Sequence, residues 1–186
     1  MAFSSLAEID SYMKENTCEF WEAVIREEAR DSQQPEMDIV NRMTQMYRAM
    51  KEADETYDDT LTSHSGLSGK NGKRMADYAA THKCMCGEFG GAVMARAIKM
   101  AESNACMKRI VAAPTAGSCG VVPAILITYE RMTNTSENDM VKALFVAAGI
   151  GDVIARRASI SGARGGCQAE IGASSAMAAG ALAWLK

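Results

Sequence analysis

The sequence predicts a mainly α fold for this chain of 186 residues. Apolar residues recur at helical spacing along most of its length, and several segments begin with helix-capping residues. The alternating pattern of β-strands is scarce. Apolar residues make up 48% of the chain and charged residues 23%, the mix of a globular protein. We therefore expect a single helical domain over residues 1–186, long enough to bury a core without disulfides.

Residues 1–57 are predicted to form an N-terminal helical layer. Ser5 and Glu8 have the spacing of a capping box, so a first helix should start there and run to about Asp31. A second helix should follow Pro35, a residue suited to the first turn of a helix. The buried face of this second helix should consist of Ile39, Val40, Met43, Met46, Tyr47 and Met50.

Residues 58–186 are predicted to form a core that carries ligand loops between helices. Ser136, with Asp139 three residues on, marks a further helix start. The last helix has no stop signal before Lys186, which predicts a truncated chain whose core is incomplete at its C-terminus. Helices are expected at Met75–His82, Glu88–Asn104, from Val121, from Glu137 to about Ala158, and from about Ala169.

Charge and hydropathy exclude several classes of protein. The chain has 20 basic and 23 acidic residues and a net charge of −3, without the basic excess of a nucleic-acid-binding protein. The longest apolar run, Gly172–Leu185, is too short to cross a membrane and is better explained as a buried helix. The N-terminus lacks the pattern of a signal peptide, so we expect a cytoplasmic protein with reduced cysteines.

Three loops combine glycines with hydroxyl side chains just before predicted helices. The first loop is residues 63–69, the second 113–120 and the third 162–170. Glycine lets the backbone approach a ligand, and N–H groups at a helix start with nearby hydroxyls form an anion site. Each loop alone could be an ordinary turn with satisfied caps. Three of them in one small domain predict a pocket for a carboxylate or phosphate.

The cysteines and histidines offer a few candidates for chemistry. Cys167 lies in the third loop, where a cysteine at a helix start could be a metal ligand or a nucleophile. Cys84 and Cys86 form a C-x-C pair, a weak zinc signal because a structural zinc site needs four ligands. His64 could bind a ligand or move a proton. Cys119 stays ambiguous, since free cysteines are more often inert core residues.

Three stretches of the sequence resemble one family. They are HSGLSG (His64–Gly69), NACMKRIVAAPTAGSCGVVPA (Asn104–Ala124) and GARGGCQAEIGASSAMAAGAL (Gly162–Leu182). These stretches are similar to the α chain, or catalytic domain, of bacterial iron–sulfur L-serine dehydratase. The resemblance covers most of the chain from about Thr62 onwards, and GGCQAE and APTAGSCG are long and specific strings.

The resemblance implies a helical catalytic domain that uses a 4Fe–4S cluster and no pyridoxal phosphate. Three cysteines would hold the cluster and leave one iron open as a Lewis acid for the substrate hydroxyl. A base, which the sequence leaves unknown, would remove the Cα proton, and the products would be pyruvate and ammonia. Cys167 matches the first cluster ligand. The segments that match those holding L-serine contain His64, Ser65, Gly66, Ser68, Thr115, Ala116, Gly117 and Ser118.

The sequence also departs from the family pattern. The other two ligand cysteines are expected beyond residue 186, so the cluster should be absent from this fragment alone. Lys70 stands where the family usually has glycine, and Arg164 where glutamate is common. The family also needs a β chain or β domain, a candidate source of the base. We therefore expect an L-serine ammonia-lyase that acts as part of a larger homo- or hetero-oligomer and is inactive as this fragment.

A second hypothesis stays open. The chain could be a non-catalytic helical module that keeps the three loops, has no cluster, and binds an amino acid or assembles with a partner subunit. The sequence motifs favour the dehydratase. The absent ligand cysteines favour the binding module for this polypeptide.

Overall fold

A computed structural model of the chain describes residues 3–186. The described residues form eight α-helices and a short 3₁₀ helix, with no strand among them, so the predicted mainly α class is confirmed. Within residues 3–186 no helix is long and apolar enough to span a bilayer. The helices are α1 (Leu6–Asn16), α2 (Phe20–Ser32), α3 (Glu36–Glu55), α4 (Asn71–Ala79), α5 (Gly87–Ala105), α6 (Val121–Thr133), α7 (Glu137–Arg157) and α8 (Gly162–Trp184).

These elements fall into two compact units. The first unit consists of the described residues up to Tyr47 together with Ser136–Lys186, and the second unit is Arg48–Thr135. The first unit therefore contains α1, α2, α7 and α8, and the second contains α4, α5 and α6. The division expected from the sequence, a layer of residues 1–57 and a core of residues 58–186, stays a prediction.

Small residues on α7 let the helices of the first unit pack closely. A Cβ atom added at Gly149 would lie 2.6 Å from Val24 Cγ2 on α2. A Cβ atom at Gly151 would lie 2.8 Å from Met177 Sδ on α8. Both distances are shorter than the contacts that Cβ atoms make in proteins. Gly149 therefore lets α2 approach α7 closely, whereas the flexible end of Met177 could move away from a side chain at Gly151. Ser136 caps this helix as predicted, since its hydroxyl accepts a hydrogen bond from Asp139 N at 3.2 Å.

The prediction of one continuous first helix is wrong, because this segment forms two helices, α1 and α2. Ser5 caps the first as expected, its hydroxyl accepting a hydrogen bond from Glu8 N at 3.2 Å. Thr17 then takes a left-handed conformation with a φ of 48°, which ends α1. Glu19 and Glu22 form the capping box that starts α2. Apolar spacing continues across this break because both helices bury a face, so periodicity alone does not show the turn.

Two further expectations need correction. Met46 of the expected buried face on α3 is 38% exposed. The third loop predicted over residues 162–170 is also wrong, because α8 begins at Gly162 rather than near Ala169 and includes all of these residues, with non-helical backbone only at Gly166. The carbonyl of Ser161 accepts hydrogen bonds from Arg164 N and Gly165 N at 3.1 and 2.9 Å, which closes a helical turn inside the predicted loop.

Candidate functional site

The first loop is a tight turn closed by its own serines. Ser63 N donates a hydrogen bond to Ser68 O at 2.8 Å, and Ser68 N donates one to the Ser63 hydroxyl at 3.1 Å. Gly66 has a φ of 73°, a left-handed value that glycine adopts at no steric cost. His64, Ser65 and Gly66 are exposed. The polar tip of this loop is therefore free to meet a ligand.

Two consecutive residues with positive φ, Gly69 and Lys70, stand at the end of the first loop. Gly69 has a φ of 147°, and a Cβ atom there would lie 2.6 Å from Leu61 O, so only glycine fits. Lys70 has a φ of 68°. Such a φ costs a residue with a Cβ atom about 1–2 kcal/mol. The departure from the family pattern at Lys70 therefore falls where the backbone itself favours glycine.

The second loop is built into the protein interior. It contains the 3₁₀ helix Ala116–Ser118, and Thr115 and Ser118 cap this helix through each other's side chains and backbone. The two hydroxyls lie 3.1 Å apart, and Ser118 is only 1% exposed. Ala116 and Gly117 are exposed. Because the first N–H groups of a helix have no intrahelical acceptor, this exposed pair offers backbone donors to an anionic group.

The C-terminal half of α5 is hydrogen-bonded to the second loop and to the residues that follow the first loop. Glu102 on α5 accepts hydrogen bonds from Asn71 N at 2.7 Å and from Gly72 N at 3.0 Å, at the start of α4. Two residues on, Asn104 Nδ2 donates to Ala116 O of the second loop at 3.0 Å. One helix of the second unit thus binds Ala116 of the second loop and the residues Asn71 and Gly72 that follow the first loop.

Two glycines allow this close approach to α5. A Cβ atom at Gly72 would lie 3.0 Å from Lys99 Cα, and one at Gly120 would lie 2.6 Å from Ala97 O. Gly72 lies three residues after the first loop, and Gly120 is the last residue of the second. These contacts are not evident from the sequence.

Glu102 is a buried carboxylate that is surrounded by hydrogen-bond donors. It is 4% exposed, and the Tyr57 hydroxyl donates to it at 2.7 Å. Burial pushes the pKa of Glu102 upward, but the hydrogen bonds from Tyr57, Gly72 and Asn71 outweigh it, so its pKa lies below that of an ordinary glutamate. Burial, with the hydrogen bond to Glu102, raises the pKa of Tyr57 to about 12. The pair is therefore a charged acceptor and a neutral donor at neutral pH.

Sequence reasoning missed Glu102 and its neighbours Ser103 and Asn104. Ser103 is 3% exposed, and its hydroxyl has no hydrogen-bond partner among the described residues. The available signal was a glutamate placed among apolar and small residues of a predicted helix. Such a residue must find donors if it is buried, but the sequence did not show that the donors would come from Tyr57 and Asn71.

Cys167 belongs to the first unit and lies at a break in α8. Gly166, directly before it, has a φ of 72° and a ψ of 176°, values that interrupt the helix. Cys167 is exposed, at the start of the helical segment that continues to Trp184. The position agrees with the expectation of a cysteine at a helix start. Its role as a metal ligand stays a prediction.

An iron–sulfur cluster is held by several cysteine thiolates. Within residues 3–186 no group of three or more His, Cys, Asp or Glu side chains is arranged to hold a metal ion. An exposed thiol at the start of a helical segment suits one ligand of such a cluster. Among the described residues, Cys167 thus fits the role of one cysteine ligand of such a cluster.

Cys119 is a core residue of the second loop. It is 2% exposed, and its Sγ lies 4.0 Å from Met100 O. Burial raises the pKa of this thiol. A buried thiol that stays protonated is unreactive, so the structure resolves the ambiguity of Cys119 in favour of packing.

Comparisons with known proteins point to one family. The family model described as "Serine dehydratase alpha chain" matches residues 15–186. The "Probable L-serine dehydratase, alpha chain" of Bacillus subtilis (strain 168) is 34% identical over 180 residues, which is 97% of this chain and 60% of the relative. The "L-serine dehydratase, alpha chain" of Peptoniphilus asaccharolyticus is 36% identical over 178 residues, 94% of this chain and 60% of the relative.

Other relatives match over shorter stretches. "L-serine dehydratase 1" of Escherichia coli (strain K12) is 46% identical over 90 residues, 48% of this chain and 20% of the relative. No solved structure shows a significant match. The chain thus spans about 60% of the length of the two alpha chains that it matches along most of its own sequence.

Proposed function

The chain belongs to the serine dehydratase alpha chain family, and we propose that it is the serine-binding part of an L-serine ammonia-lyase. This enzyme would convert L-serine to pyruvate and ammonia. The observation that carries the proposal is the family match over residues 15–186. The second loop and the segment that follows the first loop are both hydrogen-bonded to α5, and both loops expose polar groups of the kind that a small zwitterionic substrate needs, which supports the proposal.

We propose that the two loops bind the carboxylate and amino groups of L-serine. In the first loop the ligand groups would come from His64, Ser65, Gly66 and Ser68, and in the second from Thr115, Ala116, Gly117 and Ser118. The first loop has an exposed imidazole and an exposed hydroxyl at its tip. The second has exposed backbone at the start of a 3₁₀ helix. Hydroxyl and backbone N–H donors are suited to a carboxylate.

The reaction is a β-elimination followed by hydrolysis. A base takes the Cα proton, the electron pair forms the Cα–Cβ double bond, and the hydroxyl group leaves. The aminoacrylate becomes an imine, and water converts the imine to pyruvate and ammonia. In this chain the loop residues would orient the substrate so that the Cα proton faces the base, which is left unassigned.

We propose that Cys167 supplies one ligand of a 4Fe–4S cluster. When bound, the cluster would supply a Lewis-acidic iron that assists departure of the hydroxyl group. The remaining ligands are assigned to sequence outside these 186 residues, and a β chain is proposed as the partner, since the two long matches are named alpha chains. The 186-residue chain alone is accordingly expected to be inactive.

The test is anaerobic reconstitution of the complete α chain with its β chain, iron and sulfide. Wild-type enzyme should take up iron and form pyruvate from L-serine. Cys167→Ala should lose both iron and activity. Cys86→Ala is the matched control, because Cys86 is also exposed and also precedes a helix, α5. It should keep iron content and activity at wild-type levels.

Two results would contradict the proposal in different ways. Retention of iron and activity by Cys167→Ala would remove Cys167 from the ligand set. Reconstituted wild-type enzyme that binds L-serine by calorimetry but forms no pyruvate would favour the non-catalytic binding module.

A further inference from the structure

One buried glutamate holds the segment that directly follows the first loop. The carboxylate of Glu102 takes three hydrogen bonds, from Asn71 N at 2.7 Å, from Gly72 N at 3.0 Å and from the Tyr57 hydroxyl at 2.7 Å. All three donors lie in the stretch 57–72, which flanks the first loop on both sides. Glu102 therefore fixes both the entry and the exit of that loop.

These hydrogen bonds are strong because the acceptor is charged and shielded from water. A carboxylate that is 4% exposed keeps its charge only where donors replace its hydration. Charge-assisted hydrogen bonds are about twice as strong as neutral ones. The start of α4 therefore has a firm attachment to α5, although the tip of the first loop is exposed.

The second loop is attached to a different face of the same helix, α5. Asn104 follows Glu102 by two residues and donates to Ala116 O at 3.0 Å. Two residues along an α-helix correspond to a rotation of about 200° and a rise of about 3 Å. The two side chains thus leave α5 on different faces, and the helix between them acts as a rigid spacer for the two loops.

We propose that Glu102 is a positioning residue for serine binding, which sets the place of the first loop relative to the second loop held by Asn104. The inference rests on the proposed function, since it deepens the role of the same loops. Glu102 does not touch the substrate. It acts through the backbone of Asn71 and Gly72, so its loss should weaken binding of L-serine more than it slows the chemistry.

The test is steady-state kinetics with L-serine on the dehydratase assembled with its β chain. Glu102→Gln keeps the size of the side chain but puts an amide NH₂ where one of two oxygens accepts, so one donor is left unpaired. KM should rise about tenfold while kcat changes less than about threefold, because the lost interactions serve binding. Glu52→Gln is the matched control, since Glu52 is exposed on α3, and its KM should equal that of wild type.

The split between KM and kcat separates positioning from stability. An enzyme that is only destabilised loses active molecules, so kcat falls and KM stays constant. Unchanged KM in Glu102→Gln would overturn the inference. Asn104→Ala provides a second variant, because Asn104 is half-buried and its removal leaves no buried charge. Its KM should also rise, and a constant KM there would overturn the spacer role of α5.

Failure of this inference can be told apart from failure of the proposed function. Wild-type enzyme that forms no pyruvate would overturn the function itself. Normal wild-type kinetics with an unchanged KM in Glu102→Gln would overturn only the positioning role. Hydrogen exchange of residues 61–72 gives an independent measure, since it should become at least about tenfold faster in Glu102→Gln than in Glu52→Gln if Glu102 holds this segment.

Discussion

The two loops of the second unit that we propose for serine binding are held in different ways. The first loop is exposed at its tip and closed by serine hydrogen bonds, and it depends on a carboxylate from another helix. The second loop has a buried serine at its centre and a glycine pressed against α5. The segment after the first loop is thus fixed by a charge, whereas the second loop is fixed by packing at Ser118 and Gly120, with one hydrogen bond from Asn104.

This difference separates two requirements of a binding site. Packing gives a rigid reference surface, because interiors are close-packed and yield little. Hydrogen bonds to one buried charge hold an exposed segment in place without covering its tip. Substitutions that act on charge should therefore affect the first loop, and substitutions that act on volume should affect the second.

The largest effect on stability is expected from removing the charge of Glu102, which holds the segment after the first loop. Glu102→Gln should lower the free energy of unfolding at pH 7 by about 2–3 kcal/mol, the value of hydrogen bonds to a charged group. Because the folded pKa of Glu102 is depressed, this stability is present above the ordinary glutamate pKa of about 4.3 and is lost as pH falls through the folded pKa. Urea unfolding at pH 7 and below pH 4 should show the difference from wild type shrinking in acid. An equal difference at both pH values would mean that Glu102 acts by packing alone.

A smaller effect on stability is expected from disturbing the packing of the second loop against α5. Gly120→Ala places a Cβ atom 2.6 Å from Ala97 O, so α6 and α5 must move apart at a cost of about 1–3 kcal/mol. Thermal unfolding should show a midpoint that is lower than that of wild type by the same amount at pH 4 and at pH 7. Gly172→Ala is the control, because nothing lies within 4 Å of its added Cβ atom, and alanine in a helix should be neutral or stabilising. Equal stability of Gly120→Ala and wild type would show that this loop is not held by packing.

The smallest expected effect is at the exit of the first loop. Lys70→Gly should raise the free energy of unfolding by up to about 1 kcal/mol, because the φ of 68° is strained for lysine and relaxed for glycine. The gain is reduced by the greater freedom of glycine in the unfolded chain. Urea unfolding measures it against Lys73→Gly, whose site in the interior of α4 should lose stability. If Lys70→Gly is less stable than wild type, the lysine side chain stabilises the fold by more than its strained backbone conformation costs.

Local signals predicted the helices and only part of the site. Ser5 and Ser136 cap helices as their sequence spacing predicts, because a cap depends on residues three apart. The break at Thr17 was missed, since a left-handed residue at this position has no glycine to mark it. Glycine and hydroxyl content singled out the two loops, and the family resemblance related them to serine binding, but the link through Glu102 joins residues 30 and 45 positions apart in sequence. Such a link depends on how α4 packs on α5, which no local pattern encodes.

The close packing of α7 has a consequence for how this protein can change through evolution. Gly149 lies against Val24 on α2, and Gly151 lies against Met177 on α8. A larger residue at Gly149 would meet the branched side chain of Val24, so it needs a smaller partner on α2. A larger residue at Gly151 would meet the flexible thioether of Met177, which can shift to make room. Gly149 is therefore expected to change through compensated double substitutions, whereas Gly151 can change alone.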